Sequence, residues 1–292
     1  MQPRVQPFFH AASNTWSYVV AEPDGPAAAV IDPVLDFDAK SGRIGATAAQ
    51  ALVEYARDQA LDVRWILETH AHADHLSAGH WLKAQWPAAT LAIGAGIRSV
   101  QRTFAALFNL GAQLPADGSQ FDRLFDDGDT FAIGALTARV IAVPGHTDDS
   151  VAYLVGDALF TGDSLFMPDA GSARCDFPGG DAATLYRSIH KLFALPDATR
   201  VFVCHDYGKR ADDGSGRDVA CETSIGVQKR DNIHLREGID EAAFVAMRNA
   251  RDATLTMPAL LLPAVQVNIR AGALPSPEDN GVRYLKLPLD QF

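Results

Sequence analysis

The chain of 292 residues is 48% hydrophobic and 21% charged, enough apolar material for one large core or two modest ones. Its 36 Asp and Glu against 25 Lys and Arg give a net charge of −11, and no basic block is present to displace counterions, which excludes duplex nucleic acid as a partner. Apolar stretches such as residues 258–267 fall short of the ~20 residues of a membrane span. The N-terminus lacks the apolar stretch of a signal peptide, and Cys175, Cys204 and Cys221 are an odd number without Cys-x-x-Cys spacing. Reduced, packed thiols and a cytoplasmic location are therefore expected.

In chain order, residues 16–21 and 28–32 are expected to be strands of a hairpin, with Pro23-Asp24-Gly25-Pro26 as the turn. Residues 45–61 carry Ala48, Leu52, Tyr55 and Ala56 at helical spacing. Val63-Arg64-Trp65-Ile66-Leu67 reads as a buried strand, and a helix is expected to start near Asp74 and run through Trp81-Leu82. Strands follow at 138–143, 151–155, 158–160 and 201–203, with a helix at 182–195. After about Gly208 the pattern gives one amphipathic helix (240–250) and a Pro-rich tail. The apolar run Ala259-Leu260-Leu261-Leu262 is either core or interface. Strands interleaved with helices predict α/β layers, two sheets with helices outside. A single domain over 1–292 is expected, with about 208–292 packed on it.

Four strand ends carry metal-capable side chains: His70, His72, Asp74 and His75, then His146, then Asp163, then His205. Imidazole and carboxylate suit Zn, Fe and Mn. In extended backbone, His70 and His72 point the same way, while Asp74 and His75 lie past the turn. Gly145 and Gly162 allow close backbone approach. One such histidine alone would be an ordinary core or surface residue, and His10, His80, His190 and His234 are read so. Seven ligand-type groups at four strand ends would be uncompensated without a metal.

These residues form His-x-His-x-Asp-His, then Gly-His, Gly-Asp and a final His, and in this the sequence resembles the metallo-β-lactamase superfamily. The resemblance implies its αββα sandwich, but that fold serves many reactions. The segments 69–79, 144–147, 161–166, 173–180, 204–207 and 266–272 are similar to the persulfide dioxygenases. That family implies a mononuclear non-haem Fe(II) enzyme that oxidises glutathione persulfide with O₂ to sulfite and glutathione. Its iron ligands fall on His70, His146 and Asp163, two His and one carboxylate with open positions. His72, Asp74, His75 and His205 are then groups around the iron site, or, in a dinuclear hydrolase, the ligands of a second metal. Arg174 either holds the site wall through a carboxylate or meets a glutathione carboxylate. Tyr207 either bonds near the substrate sulfur or is a core tyrosine. A homodimer is implied by the same resemblance.

The rival is a glyoxalase II-like thioester hydrolase with two Zn ions, which calls for a longer helical C-terminal region and a basic glutathione-binding segment; Lys229 and Arg230 are the residues available for that. A non-catalytic metal-dependent sulfur sensor would be marked by loss of an iron ligand, and none is missing.

Overall fold

The computed structural model describes residues 1–209 and 216–291. Strands β1 (Arg4–His10), β2 (Thr15–Ala21), β3 (Ala27–Ile31), β6 (Asp62–Leu67), β8 (Thr90–Gly94) and β9 (Arg123–Phe125) form one sheet in the order β1-β2-β3-β6-β8-β9. It is antiparallel from β1 to β3 and parallel from β3 to β9. The second sheet runs in sequence order through β10 (Thr130–Ile133), β11 (Leu136–Ala142), β12 (Val151–Val155), β13 (Ala158–Phe160), β14 (Arg200–Phe202) and β15 (Glu222–Ser224). Only its β13–β14 pair is parallel.

Alternation along each strand divides the core into three layers. Tyr18, Val20, Ala29 and Ile31 point between the sheets, where they meet Val140, Tyr153, Phe160 and Phe202. Val19, Ala28 and Val30 point the other way, into a layer shared with α1 (Thr47–Asp58), α2 (Gly79–Gln85), α3 (Ile97–Leu107) and α7 (Leu261–Asn268). Ala152, Leu159 and Val201 point outward from the second sheet onto α4 (Ala182–Phe193), α5 (Ile225–Asp231) and α6 (Glu241–Asp252). This is the αββα sandwich that the sequence predicts. No helix among the described residues is long and apolar enough to cross a membrane.

Four features differ from the sequence reading. An edge strand, β1, precedes the predicted hairpin, and β4 (Val34–Asp38) and β5 (Arg43–Gly45) pair with β7 (Leu76–Ser77) in a third small sheet. The helix expected from Asp74 begins at Gly79, because Leu76 and Ser77 are drawn into pairing with Leu35 and Val34. Among the described residues after Gly208 there are three helices rather than one. The run 259–262 enters α7, where Pro263 is tolerated in a first turn whose N–H groups have no helical partner, and Leu261 is buried in the core.

Candidate metal centre

The predicted groups converge at one end of the sandwich, where β6, β11, β13 and β14 release their chains into loops. Asp163 lies at the centre. Its Oδ2 is 3.6 Å from His146 Nε2 and 3.9 Å from His70 Nε2, and its Oδ1 is 3.3 Å from His205 Nε2. Asp74 Oδ2 is 3.4 Å from His205 Nε2 and 3.3 Å from His75 Nδ1. The rings of His70 and His72 are 4.0 Å apart between centroids, as residues two apart in extended backbone should be.

The imidazoles are held by one nitrogen and offer the other. His146 Nδ1 donates to the Arg174 carbonyl at 2.7 Å, and His205 Nδ1 donates to the Asn14 carbonyl at 3.1 Å. A carbonyl can only accept, so in both rings the lone pair is on Nε2. Thr69 Oγ1 gives its hydrogen to Asp32 Oδ2 at 2.9 Å and accepts from His70 Nδ1 at 3.0 Å, which again frees Nε2. His72 Nε2 donates to Asp32 Oδ1 at 3.0 Å. Left buried without a hydrogen-bond partner are His70 Nε2, His72 Nδ1, His75 Nε2, His205 Nε2 and Asp163 Oδ1. Each such atom costs about 1–3 kcal/mol, so this concentration fits a bound divalent first-row metal.

Burial, with the neighbouring imidazole next in effect, holds His70 and His72 well below the usual histidine range, so both are neutral and ready to ligate without losing a proton. Burial also acts to lower His205, but Asp163 and Asp74 outweigh it and the net direction is upward. Burial acts to raise Asp74, and His205 and His75 reverse this, leaving it well below its ordinary value.

Among the described residues the ligand-type side chains form four sets whose ligating atoms lie within 4.8 Å of one another. Three of them contain His72: with Asp74 and His75, with Cys204 and His205, and with Asp32 and Glu68. The fourth, His70, His146 and Asp163, shares no residue with the others.

Glycines let the loops close on this centre. Gly145 has φ +131°, and a Cβ there would lie 2.3 Å from Leu185 N in α4. Gly145→Ala is therefore expected to cost about 2–4 kcal/mol, read as a lower urea midpoint; an unchanged midpoint would contradict the close packing.

Sequence reasoning missed the groups beneath the ligands. Asp32, read only as a strand end, receives Thr69 N at 2.7 Å as well as the two contacts above. Asp149 Oδ2 accepts from Ala71 N at 2.8 Å, and burial pushes that carboxyl up to about 6. Asn268 Nδ2 donates to the carbonyls of both His72 and His75 at 2.8 Å, and its Oδ1 accepts from Ser77 N at 2.8 Å. For Asp32 the visible signal was an Asp just past a strand that runs parallel to the motif strand, and for Asn268 its place in the similar segment 266–272, which was given no role.

A cavity of about 460 Å³ opens onto the centre, lined among others by Phe166, Arg174, Phe177, Tyr207, Arg251 and Leu255. Arg174 gives its fork to Asp176, at 2.6 Å for both bonds, and Nη1 to the Thr256 carbonyl at 2.8 Å. Arg174 thus has a carboxylate partner on the cavity wall. Tyr207 is 62% exposed at the mouth, with its ring parallel to that of His205. Lys229 pairs with Asp197 and Arg230 with Asp231, and neither lines this cavity. Cys175 is buried, and its thiol is pushed up to about 12 by that burial.

Behind the cavity wall, His234 Nδ1 accepts from Ser172 N at 3.0 Å. Burial, then Arg248 and Arg251, push His234 down to about 4. Because the folded value lies below the unfolded 6.5, the unfolded chain takes up the proton first, and stability is lost as pH falls from 6.5 toward 4. The ring lies close to the solvent-filled cavity, so about 2 kcal/mol is expected. His234→Asn, which keeps an acceptor, should flatten the urea midpoint across that window; an unchanged slope would contradict this.

The model of the metallo-beta-lactamase superfamily matches residues 11–205, which include every residue of the centre. The chain belongs to that superfamily, and its fold is metal-binding. It is 51% identical to the probable metallo-hydrolase of Burkholderia pseudomallei, over 98% of this chain and 99% of the relative. It is 44% identical to Glyoxylase B2 of Dictyostelium discoideum, over 98% and 97%. With the mitochondrial persulfide dioxygenase ETHE1 of Bos taurus it shares 30% over 68% of this chain and 66% of the relative. Among solved structures, ETHE1 from Myxococcus xanthus superposes with a TM-score of 0.73 at 29% identity, over 92% of this chain and 100% of that one.

Proposed function

We propose that the protein is a persulfide dioxygenase that holds one Fe(II) at His70, His146 and Asp163 and oxidises glutathione persulfide with O₂ and water to sulfite and glutathione. The observation that carries this reading is the separateness of the triad. Its three ligating atoms converge without borrowing a residue from the surrounding groups. Every neighbouring set contains His72, whose Nε2 bonds Asp32 while its Nδ1 stays open. Two histidines and one carboxylate leave positions open for O₂ and a thiolate. The similarity to the Myxococcus ETHE1, which runs over that whole chain, supports the same reaction.

Bound iron would supply the redox chemistry that joins dioxygen to sulfur, which Zn²⁺ lacks. The chain's own residues do the positioning. The Arg174 carbonyl fixes the His146 ring, and the Phe177 ring, 5.3 Å from it, shields that side from water. Because Asp176 occupies the Arg174 fork and Asp252 holds Arg248, the guanidinium left on the cavity wall for a glutathione carboxylate, among the described residues, is Arg251. Tyr207 stands at the mouth beside His205, where its hydroxyl can reach an entering thiol carrier. His72, Asp74, His75 and His205 act as hydrogen-bonding and charge partners of the ligands. Three unpaired cysteines suit a reducing, cytoplasmic setting. A homodimer belongs to the same reading, with exposed Leu287 and Leu289 as surface available to it.

A second reading has its own support. His205 lies against the other oxygen of Asp163, Asp74 against both His205 and His75, with Nε2 unpartnered on both histidines, and two relatives carry hydrolase or glyoxylase names. A dinuclear thioester hydrolase would use them as a second metal site. Metal content after purification without added metal, together with an S-lactoylglutathione assay, separates the two. About one iron per chain and no thioester cleavage is expected. Two zinc ions and rapid cleavage would overturn the dioxygenase.

A further inference from the structure

Arg270 lies two residues beyond Asn268 and lines a cavity that shares no lining residue with the reaction cavity. It belongs to the segment Gln266-Val267-Asn268-Ile269-Arg270-Ala271-Gly272, which the reaction does not use. The side chain is only 8% exposed, yet no carboxylate of the described residues lies within ion-pair distance of it. One nitrogen, Nη1, donates to the Gln266 carbonyl at 2.6 Å. Among the described residues Nε and Nη2 have no protein partner, and neither is sealed from solvent. Arg270 lines a cavity of about 890 Å³, whose wall also includes His80, Gln113, Gln120, Asn280 and Lys286.

A guanidinium taken out of water without a counter-charge is costly, and chains seldom bury one unpaired. Burial alone pulls Arg270 down from its ordinary value, with no neighbouring charge to offset it. Around it the wall offers a neutral donor, Gln120, and a cationic donor, Lys286. Gln120 Nε2 bonds the Pro115 carbonyl, and Lys286 Nζ bonds the Asn109 carbonyl, so both are fixed in place. The acids in the wall, Glu278 and Asp279, are exposed residues of the outer loop, where water screens them. The arrangement is a preformed anion pocket with its strongest donor innermost.

We propose that this cavity is a binding site for a small oxyanion, a carboxylate or a phosphate, gripped by the two open N–H faces of Arg270. The site is separate from the metal cavity, with which it shares no lining residue. It is also mechanically joined to the metal motif. Asn268, on the same turn of chain, holds the carbonyls of His72 and His75, and Gly272 packs so close that a Cβ there would lie 2.7 Å from the Ser77 carbonyl. An anion on Arg270 therefore braces the segment that supports the motif.

The test titrates metal-loaded protein with inorganic phosphate and, separately, with succinate, at ionic strength held constant with chloride, and reads thermal stability and calorimetric heat. Saturable binding of at least one of the two is expected. It should weaken roughly tenfold or more in Arg270→Gln, which loses a charge-assisted fork. It should weaken by about threefold in Lys286→Met, whose exposed position keeps folding intact. Arg251→Gln, at the metal cavity, should leave it unchanged. Phosphate alone, or succinate alone, assigns the anion class. No saturable response to either anion, an equal response in all variants, or loss only in Arg251→Gln would overturn the proposal.

Discussion

His146→Ala is expected to strip the protein of iron, whereas His205→Ala is expected to keep most of it. His146 Nε2 is 3.6 Å from Asp163 Oδ2 and belongs to the triad, so its removal leaves two ligands and an open side. Iron content should fall below roughly a tenth of wild type, and activity with it. His205 also lies against Asp163, at 3.3 Å, but on the Oδ1 side, and it is tied to the Asn14 carbonyl. Losing such a partner weakens a metal by about 10–100-fold, which still leaves the site filled at protein concentrations well above the dissociation constant. Metal analysis of the two purified variants checks this. Equal loss in both would favour a dinuclear centre built around both oxygens of Asp163.

Asn268→Ala is expected to cost more than any other single substitution outside the ligands. Asn268 is 3% exposed, and its side chain makes three hydrogen bonds at 2.8 Å, to the His72 carbonyl, the His75 carbonyl and Ser77 N. Alanine leaves those three backbone groups buried and unpaired, at about 1–3 kcal/mol each, so a loss of about 3–6 kcal/mol is expected. The same change frees the turn that carries Asp74 and His75 and should lower metal retention. Urea unfolding of the metal-free and metal-loaded forms measures both effects. A loss under about 1 kcal/mol would show that water replaces the amide at no cost.

The parts of this molecule legible in the sequence are those written in short-range pattern. Two apolar runs, 16–21 and 28–32, divided by turn residues, placed two strands of the first sheet, and the ligand residues are adjacent in sequence or sit where a strand pattern stops. Asp32 was seen only as a strand end, and Asn268 only as part of the similar segment 266–272, because each is a single polar residue that meets the motif only in three dimensions, 40 and 193–196 positions away for their side-chain contacts. The helix expected from Asp74 shows how tertiary contacts override a local signal. An Asp before Trp81 and Leu82 resembles a helix cap, but the chain there is committed to Asn268 and to pairing with β4. The C-terminal helices were obscured differently. α7 is nearly all apolar and α5 is only seven residues long, so neither shows the two-faced period that marks a surface helix. Arg174 was visible as a motif residue, but its partner, Asp176, could be settled only by the fold.

The most direct test of the central claim is oxygen uptake by the iron-loaded protein when glutathione persulfide is added. One O₂ consumed per sulfite released is expected, with no uptake on glutathione alone and none in His146→Ala. An iron-replete protein that consumes no oxygen on persulfide, while cleaving a glutathione thioester, would contradict it.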